Sequence, residues 1–221
     1  MPGLPLFAVH LSDGAIAEPW LVGGFVVAAV LLAFAYRGLT EEWVPRIGVL
    51  TAAFFVASSI HIKLVILPTS VHLILNGLVG VVLGRRAPLA VTVGLALQYL
   101  LLAHGGLSTL GLNVCIIGIP AVVAGQLFPL LRRAGVPAFP LGFLLGAGAV
   151  AGSVLLNFLV LLAGGKDDWE TLAKLVLLAH VPVVIVEGAI LGVVVRYLEK
   201  VKPSLLRSEE SGIRDQESAR Q

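Results

Sequence analysis

Of the five histidines in this chain, two sit where they could share a ligand. The stretch His61 to Gly77 reads HIKLVILPTSVHLILNG, with His61 and His72 on either side of a break at Leu67-Pro68-Thr69. Apolar sequence runs up to the first and away from the second, so two hydrophobic segments deliver two imidazoles to one rim. Neutral imidazole binds transition metals, and the pair reads as part of a metal site near a membrane surface. A pair of interfacial histidines holding nothing is the plainer alternative. Further along, His180 and Glu187 lie seven residues apart, on nearly the same face of a helix. An ionisable group at mid-membrane depth faces a cavity or a partner, because lipid offers neither.

The elements that carry these residues are set by composition. A mean hydropathy of +1.00 with 13% charged residues defines a polytopic helical membrane protein. The single cysteine, Cys115, excludes an intramolecular disulfide and a cysteine-cluster metal site. Basic residues are scattered in pairs, so no nucleic-acid-binding face is expected. No G-x-x-x-x-G-K-[ST] loop and no H-E-x-x-H occurs, which argues against a built-in ATPase and a zinc hydrolase. The expected organisation is a membrane domain over 9–200, a polar tail over 201–221 and a short extension over 1–8. That extension lacks the basic start and apolar core of a signal peptide.

The fold class expected is all-α, with seven membrane-crossing helices. The first apolar run opens at Glu18-Pro19, as proline in a first helical turn allows, and stops at Arg37-Gly38. The second spans about 43–61. The third begins at Ser70 or Val71 and stops at Gly84-Arg85-Arg86; it is shorter than the roughly 20 residues a crossing needs. Ser70 and Thr69 are expected to cap it, and Asn76 inside it to hydrogen-bond another helix. The fourth ends at His104-Gly105-Gly106, the fifth at Arg132-Arg133, and the sixth carries a stripe of Gly142, Gly146, Gly148 and Gly152 suited to close helix approach. The seventh, about 169–197, holds His180 and Glu187. In this topology twelve of the fifteen basic residues share one side and only Lys63, Lys166 and Lys174 fall on the other. The positive-inside rule then puts the N-terminus outside and the C-terminus in the cytoplasm. All five histidines fall in the outer half.

These segments resemble the cobalt and nickel substrate-binding membrane components of energy-coupling factor transporters, the CbiM/NikM family. The resemblance rests on His10-Leu11-Ser12-Asp13-Gly14, Pro68-Thr69-Ser70-Val71-His72-Leu73, His104-Gly105-Gly106-Leu107-Ser108-Thr109-Leu110-Gly111-Leu112-Asn113, and His180-Val181-Pro182 with Glu187-Gly188. It implies a multi-pass protein of the inner membrane that is not an enzyme and that captures Co²⁺ or Ni²⁺ outside. It also implies partners: ATPase subunits, a transmembrane coupling subunit and a small accessory membrane subunit. In that family a free N-terminal amine, the next amide nitrogen and an imidazole supply three nitrogens, and a histidine matching His72 the fourth. Planar nitrogen ligation of this kind suits Ni(II) and Cu(II).

In this sequence His10 follows Val9 rather than an initiating Met. Translation from a GTG codon at position 9 is a hypothesis that would restore the family's start. Intact-mass measurement of natively expressed protein decides it, and a species retaining Met1 to Ala8 ends it. With the extension present, His10 must act differently, with His61 or His104 completing the site. His10 and His72 are the expected ligands and His61 a weaker one, since Lys63 disfavours a nearby cation. Asp13 is expected to orient the N-terminal loop or a ligand histidine, His104 and Asn113 to brace the outer loop, and His180 and Glu187 to play supporting polar roles. The rival reading is a redox protein holding haem b between His61 and His104.

Overall fold

The structure, a computed structural model, describes residues 10–60, 62–63, 70–166 and 170–206; of Ile62, Lys63, Ser70, Val71 and Leu172 only the backbone is described. The elements are α1 (Glu18–Tyr36), α2 (Trp43–Ser59), β1 (Ile62–Lys63), β2 (Ser70–Val71), α3 (Asn76–Leu83), α4 (Ala87–Leu102), α5 (Leu110–Arg133), α6 (Ala138–Gly164), α7 (Glu170–Ala179) and α8 (Val181–Val201). Gly84–Arg86 and Pro203–Leu206 form 3₁₀ turns. The two short strands pair antiparallel, Ile62 with Val71 and Lys63 with Ser70.

Among the described residues, five stretches are long and apolar enough to cross a membrane: Glu18–Tyr36, Asn76–Leu102, Leu110–Arg133, Ala138–Gly164 and Ala173–Val201; Trp43–Ser59 is a shorter apolar helix. The Asn76–Leu102 stretch reverses direction at Gly84, whose φ of 55° and ψ of −128° a side chain would resist. The helix contacts on either side show the reversal. Along α3 and α5, Asn76 meets Ile117, Gly80 meets Ala121 and Gly84 meets Gly125, so those helices run parallel. Along α2 and α4, Thr51 meets Ala90, Phe54 meets Gly94 and Ser58 accepts a hydrogen bond from Gln98, so those run parallel too. Pro88 of α4 lies back against Gly118 of α5. Eight residues of helix rise only ~12 Å, so α3 is a half-length segment starting deep within the bundle.

The expected third helix is corrected here. It begins at Asn76 rather than at Ser70 or Val71, because Ser70 and Val71 are occupied in strand pairing. Ser70 therefore does not cap α3, whose N-cap is Leu75; Thr69 lies outside the described residues. Asn76 is fully buried, and its amide is directed at Ser153 Oγ (2.9 Å), the Ala149 carbonyl (3.2 Å) and the Ile117 carbonyl (3.4 Å).

Packing in the bundle relies on backbone approach. A Cβ at Gly80 would fall 1.9 Å from the Ala121 carbonyl oxygen, and one at Gly125 would fall 2.3 Å from that of Gly80. Antiparallel α6 and α8 interlock Gly142 with Gly192 and Gly146 with Gly188. In lipid no hydrophobic drive brings helices together, and small residues supply the contact instead. Arginines mark one end of the bundle. Arg86 is buried, donates from Nη2 to the Gly38 carbonyl at 2.7 Å and lies 4.1 Å over the Trp43 ring. Arg85 and Arg133 line a cavity of about 340 Å³ with Phe34 and Trp43, and Arg132 pairs with Glu199.

Candidate metal centre

At the opposite end three loops converge. His10 precedes α1, His72 follows β2 and His104 follows α4. Their ring centres are 5.0 Å apart for His10 and His72, 4.9 Å for His10 and His104, and 5.9 Å for His72 and His104. One nitrogen from each lies within 4.8 Å of the other two, and His10 and His72 are buried. Nitrogens bound at ~2.1 Å to one ion lie at most ~4.2 Å apart, so small ring rotations would close the trio on a metal.

Each loop is held by groups far away in sequence. The N-terminal segment is stapled to the first turn of α5 and to the loop before it. Asn113 accepts from the Leu11 amide at 2.8 Å and donates to the Leu11 carbonyl at 3.0 Å, as a neighbouring strand would. Thr109 Oγ1 donates to the same carbonyl at 2.7 Å. Asp13 accepts from the Leu107 amide (3.2 Å), the Ser108 amide (2.9 Å) and the Ser108 hydroxyl. Partial burial works to raise the Asp13 carboxyl, but the Ser108 hydroxyl and the Ser108, Leu107 and Thr109 amides outweigh it and hold it below the usual carboxylate value. Ala17 bonds the Gly164 carbonyl and Lys166 bonds that of Ala15, fastening the segment to the end of α6.

His72 and His104 are set by unusual backbone. Among the described residues the non-glycine residues with positive φ are Leu75, at 54°, and Ala103, at 50°. One follows His72 by three positions and the other immediately precedes His104. Ala103 ends α4 in the left-handed conformation usually taken by glycine, which swings His104 off the helix axis toward His10. His72 Nδ1 lies 3.0 Å from the Leu73 carbonyl. With Nδ1 protonated and donating there, Nε2 carries the lone pair.

His180 and Glu187 lie elsewhere. His180 is fully buried, and its Nδ1 is 2.7 Å from the Val176 carbonyl. Glu187, also buried, accepts from the Ile74 and Leu75 amides at the entry to α3. The structure thus brings His10, His72 and His104 together and keeps His180 out; His61 lies outside the described residues. His104, expected to brace the outer loop or, with residues 1–8 present, to complete the site, stands in the trio. Thr109, in the segment between His104 and Asn113, also holds the site together: its hydroxyl donates to the Leu11 carbonyl and lies 3.3 Å from the Asn113 amide. No observation among the described residues supports haem between His61 and His104, since His61 lies outside them.

The fold is a bundle of apolar helices, and its class is that of a multi-pass membrane transport component. The profile of the family described as cobalt uptake substrate-specific transmembrane region, CbiM, matches residues 10–205. The chain belongs to that family, and it is a transporter component rather than an enzyme. It is 37% identical over 215 residues to a Haemophilus influenzae protein provisionally named a metal transport protein, covering 92% of this chain and 99% of that one. It is 31% identical over 216 residues to the cobalt transport protein CbiM of Geobacter sulfurreducens, covering 91% of this chain and 62% of that one. A crystal structure of a truncated transition metal transporter shares the fold, with a TM-score of 0.75 at 21% identity over 86% of this chain and 98% of that one.

Proposed function

We propose that this chain captures divalent cobalt or nickel at the His10–His72–His104 trio for an energy-coupling factor importer of the inner membrane. The observation that carries the reading is the convergence of three imidazoles from three loops at one end of an apolar bundle. Three neutral nitrogens suit a borderline transition ion and give Mg²⁺ or Ca²⁺ poor ligands. Cobalt is the ion in the family's description; nickel accepts the same donors with higher intrinsic affinity. Where the chain begins at position 9, the terminal amine and the His10 amide add two nitrogens to the set. Seven crossings, counting α3 as a half-length one, put the trio outside and the arginine end in the cytoplasm. ATP hydrolysis comes from separate ATPase subunits, through a transmembrane coupling subunit and a small accessory one.

Titration of the purified protein in detergent with Co²⁺ and Ni²⁺ tests the site. One tight site per chain is expected, with Mg²⁺ unable to compete. A folded His10→Ala/His72→Ala/His104→Ala triple variant binding like wild type would refute it.

A further inference from the structure

Glu187 stands on α8, but both its carboxylate oxygens are used on the loop that carries His72. Oε1 accepts from the Ile74 amide and, at 2.8 Å, from the Leu75 amide; Oε2 lies 3.0 Å from the Leu75 amide. The peptide unit joining Leu73 to Ile74 is therefore engaged at both ends. Its N–H donates to Glu187, and its carbonyl accepts from His72 Nδ1 at 3.0 Å. A peptide is planar, so fixing its N–H fixes the direction of its carbonyl. That carbonyl sets the tilt and tautomer of the His72 ring and leaves Nε2 for an ion.

The backbone needs this support. Leu75 is left-handed, with φ 54° and ψ 17°, a conformation that a non-glycine residue keeps only where its surroundings impose it. Glu187 is 2% exposed, and a carboxylate so placed is tolerable only when its hydrogen bonds are made. Its own position is fixed by α6, since a Cβ at Gly146 would lie 2.8 Å from the Glu187 carbonyl oxygen and 3.2 Å from Gly188 Cα.

We propose that Glu187 is a positioning residue for ion capture. Acting through the Leu73–Ile74 peptide, it aims His72 into the trio and makes ion affinity depend on how α8 sits against α6. The proposal rests on reading the trio as the ion site. Hydrogen-bond partners that orient a ligand histidine typically change metal affinity 10- to 100-fold when removed. This one acts at one further remove, through a main-chain amide.

The test uses the full-length protein in detergent, titrated with Ni²⁺ and Co²⁺ and followed by the visible absorption of bound Co²⁺, with thermal unfolding recorded for every variant. Glu187→Asp keeps the charge on a stem one methylene shorter, while Glu187→Gln keeps the length and an acceptor oxygen. Positioning predicts that E187D raises Kd ~10-fold or more and shifts the Co²⁺ bands, with E187Q, which keeps one acceptor oxygen for the Ile74 and Leu75 amides, impaired less than E187D. Glu187→Ala should resemble E187D where it folds; where it does not, E187D decides. A folded E187D with wild-type Kd and Co²⁺ spectrum overturns the inference and leaves the ion site standing. A wild-type protein that takes up neither ion removes the capture reading itself, and this one with it.

Discussion

The entry to α3 and its body are held by opposite means. At its start, and across the whole histidine end, loops are fixed by side chains hydrogen-bonding distant main chain: Asn113 on Leu11, Asp13 on Leu107 and Ser108, and Glu187 on Ile74 and Leu75. Along its body, α3 lies on α5 with Gly80 and Gly125 in backbone contact and no side chain between them. A glycine seam fixes depth and register but offers a ligand nothing. A set of polar clamps can hold irregular backbone in a shape that presents ring nitrogens. The three histidines sit where clamps replace packing.

The comparison can be broken from either side. The largest effect is expected in the seam: Gly80→Ala puts a methyl group on the Ala121 carbonyl and should destabilise the bundle by ~3 kcal/mol, read as a lower unfolding temperature in detergent. Gly148→Ala, with nothing within 4 Å of the new Cβ, should leave unfolding unchanged; a matching loss there would show that any added methyl harms this bundle. At the clamped end, His72→Ala and His104→Ala should each raise the Kd for Co²⁺ by at least ~100-fold, exceeding the cost of removing a supporting group, while unfolding moves little. If His104→Ala binds normally, the trio shrinks to a pair.

Asn113→Ala strands the Leu11 amide and leaves its carbonyl to Thr109 Oγ1 alone, costing about 1–3 kcal/mol and weakening Co²⁺ binding by less than His72→Ala does. The smallest effect concerns Asp13. Its carboxyl lies below its unfolded value, so the stability it lends is full above that unfolded value and is lost as pH falls through the lower folded one. Replacing it by Asn should flatten the acid limb of an unfolding curve only below about pH 4. Ion binding is expected to weaken at higher pH than that, as imidazole ligands take up protons. A common midpoint for the two losses would mean that clamp and site come apart together.

Much of this was written in local sequence. Apolar runs ended by charge or glycine placed α1 between Glu18-Pro19 and Arg37-Gly38 and ended α4 just before His104, because backbone in lipid must satisfy its own hydrogen bonds as helix. The same logic misplaced the start of α3. Ser70 and Val71 look like a helix entry, but strand pairing with Ile62 and Lys63 takes them first. Sequence also put the histidines of the trio in one half of the molecule and marked Glu187 as needing a partner.

Which histidines meet was decided by tertiary structure alone. His104 joins His10 and His72 because Ala103 turns left-handed, and His72 is aimed by a loop whose amides end on a carboxylate more than a hundred residues away. Such contacts leave no periodic trace in the chain. They depend on where α5, α6 and α8 carry their side chains once the glycine seams have set their depth, and that geometry exists only when the whole bundle is assembled.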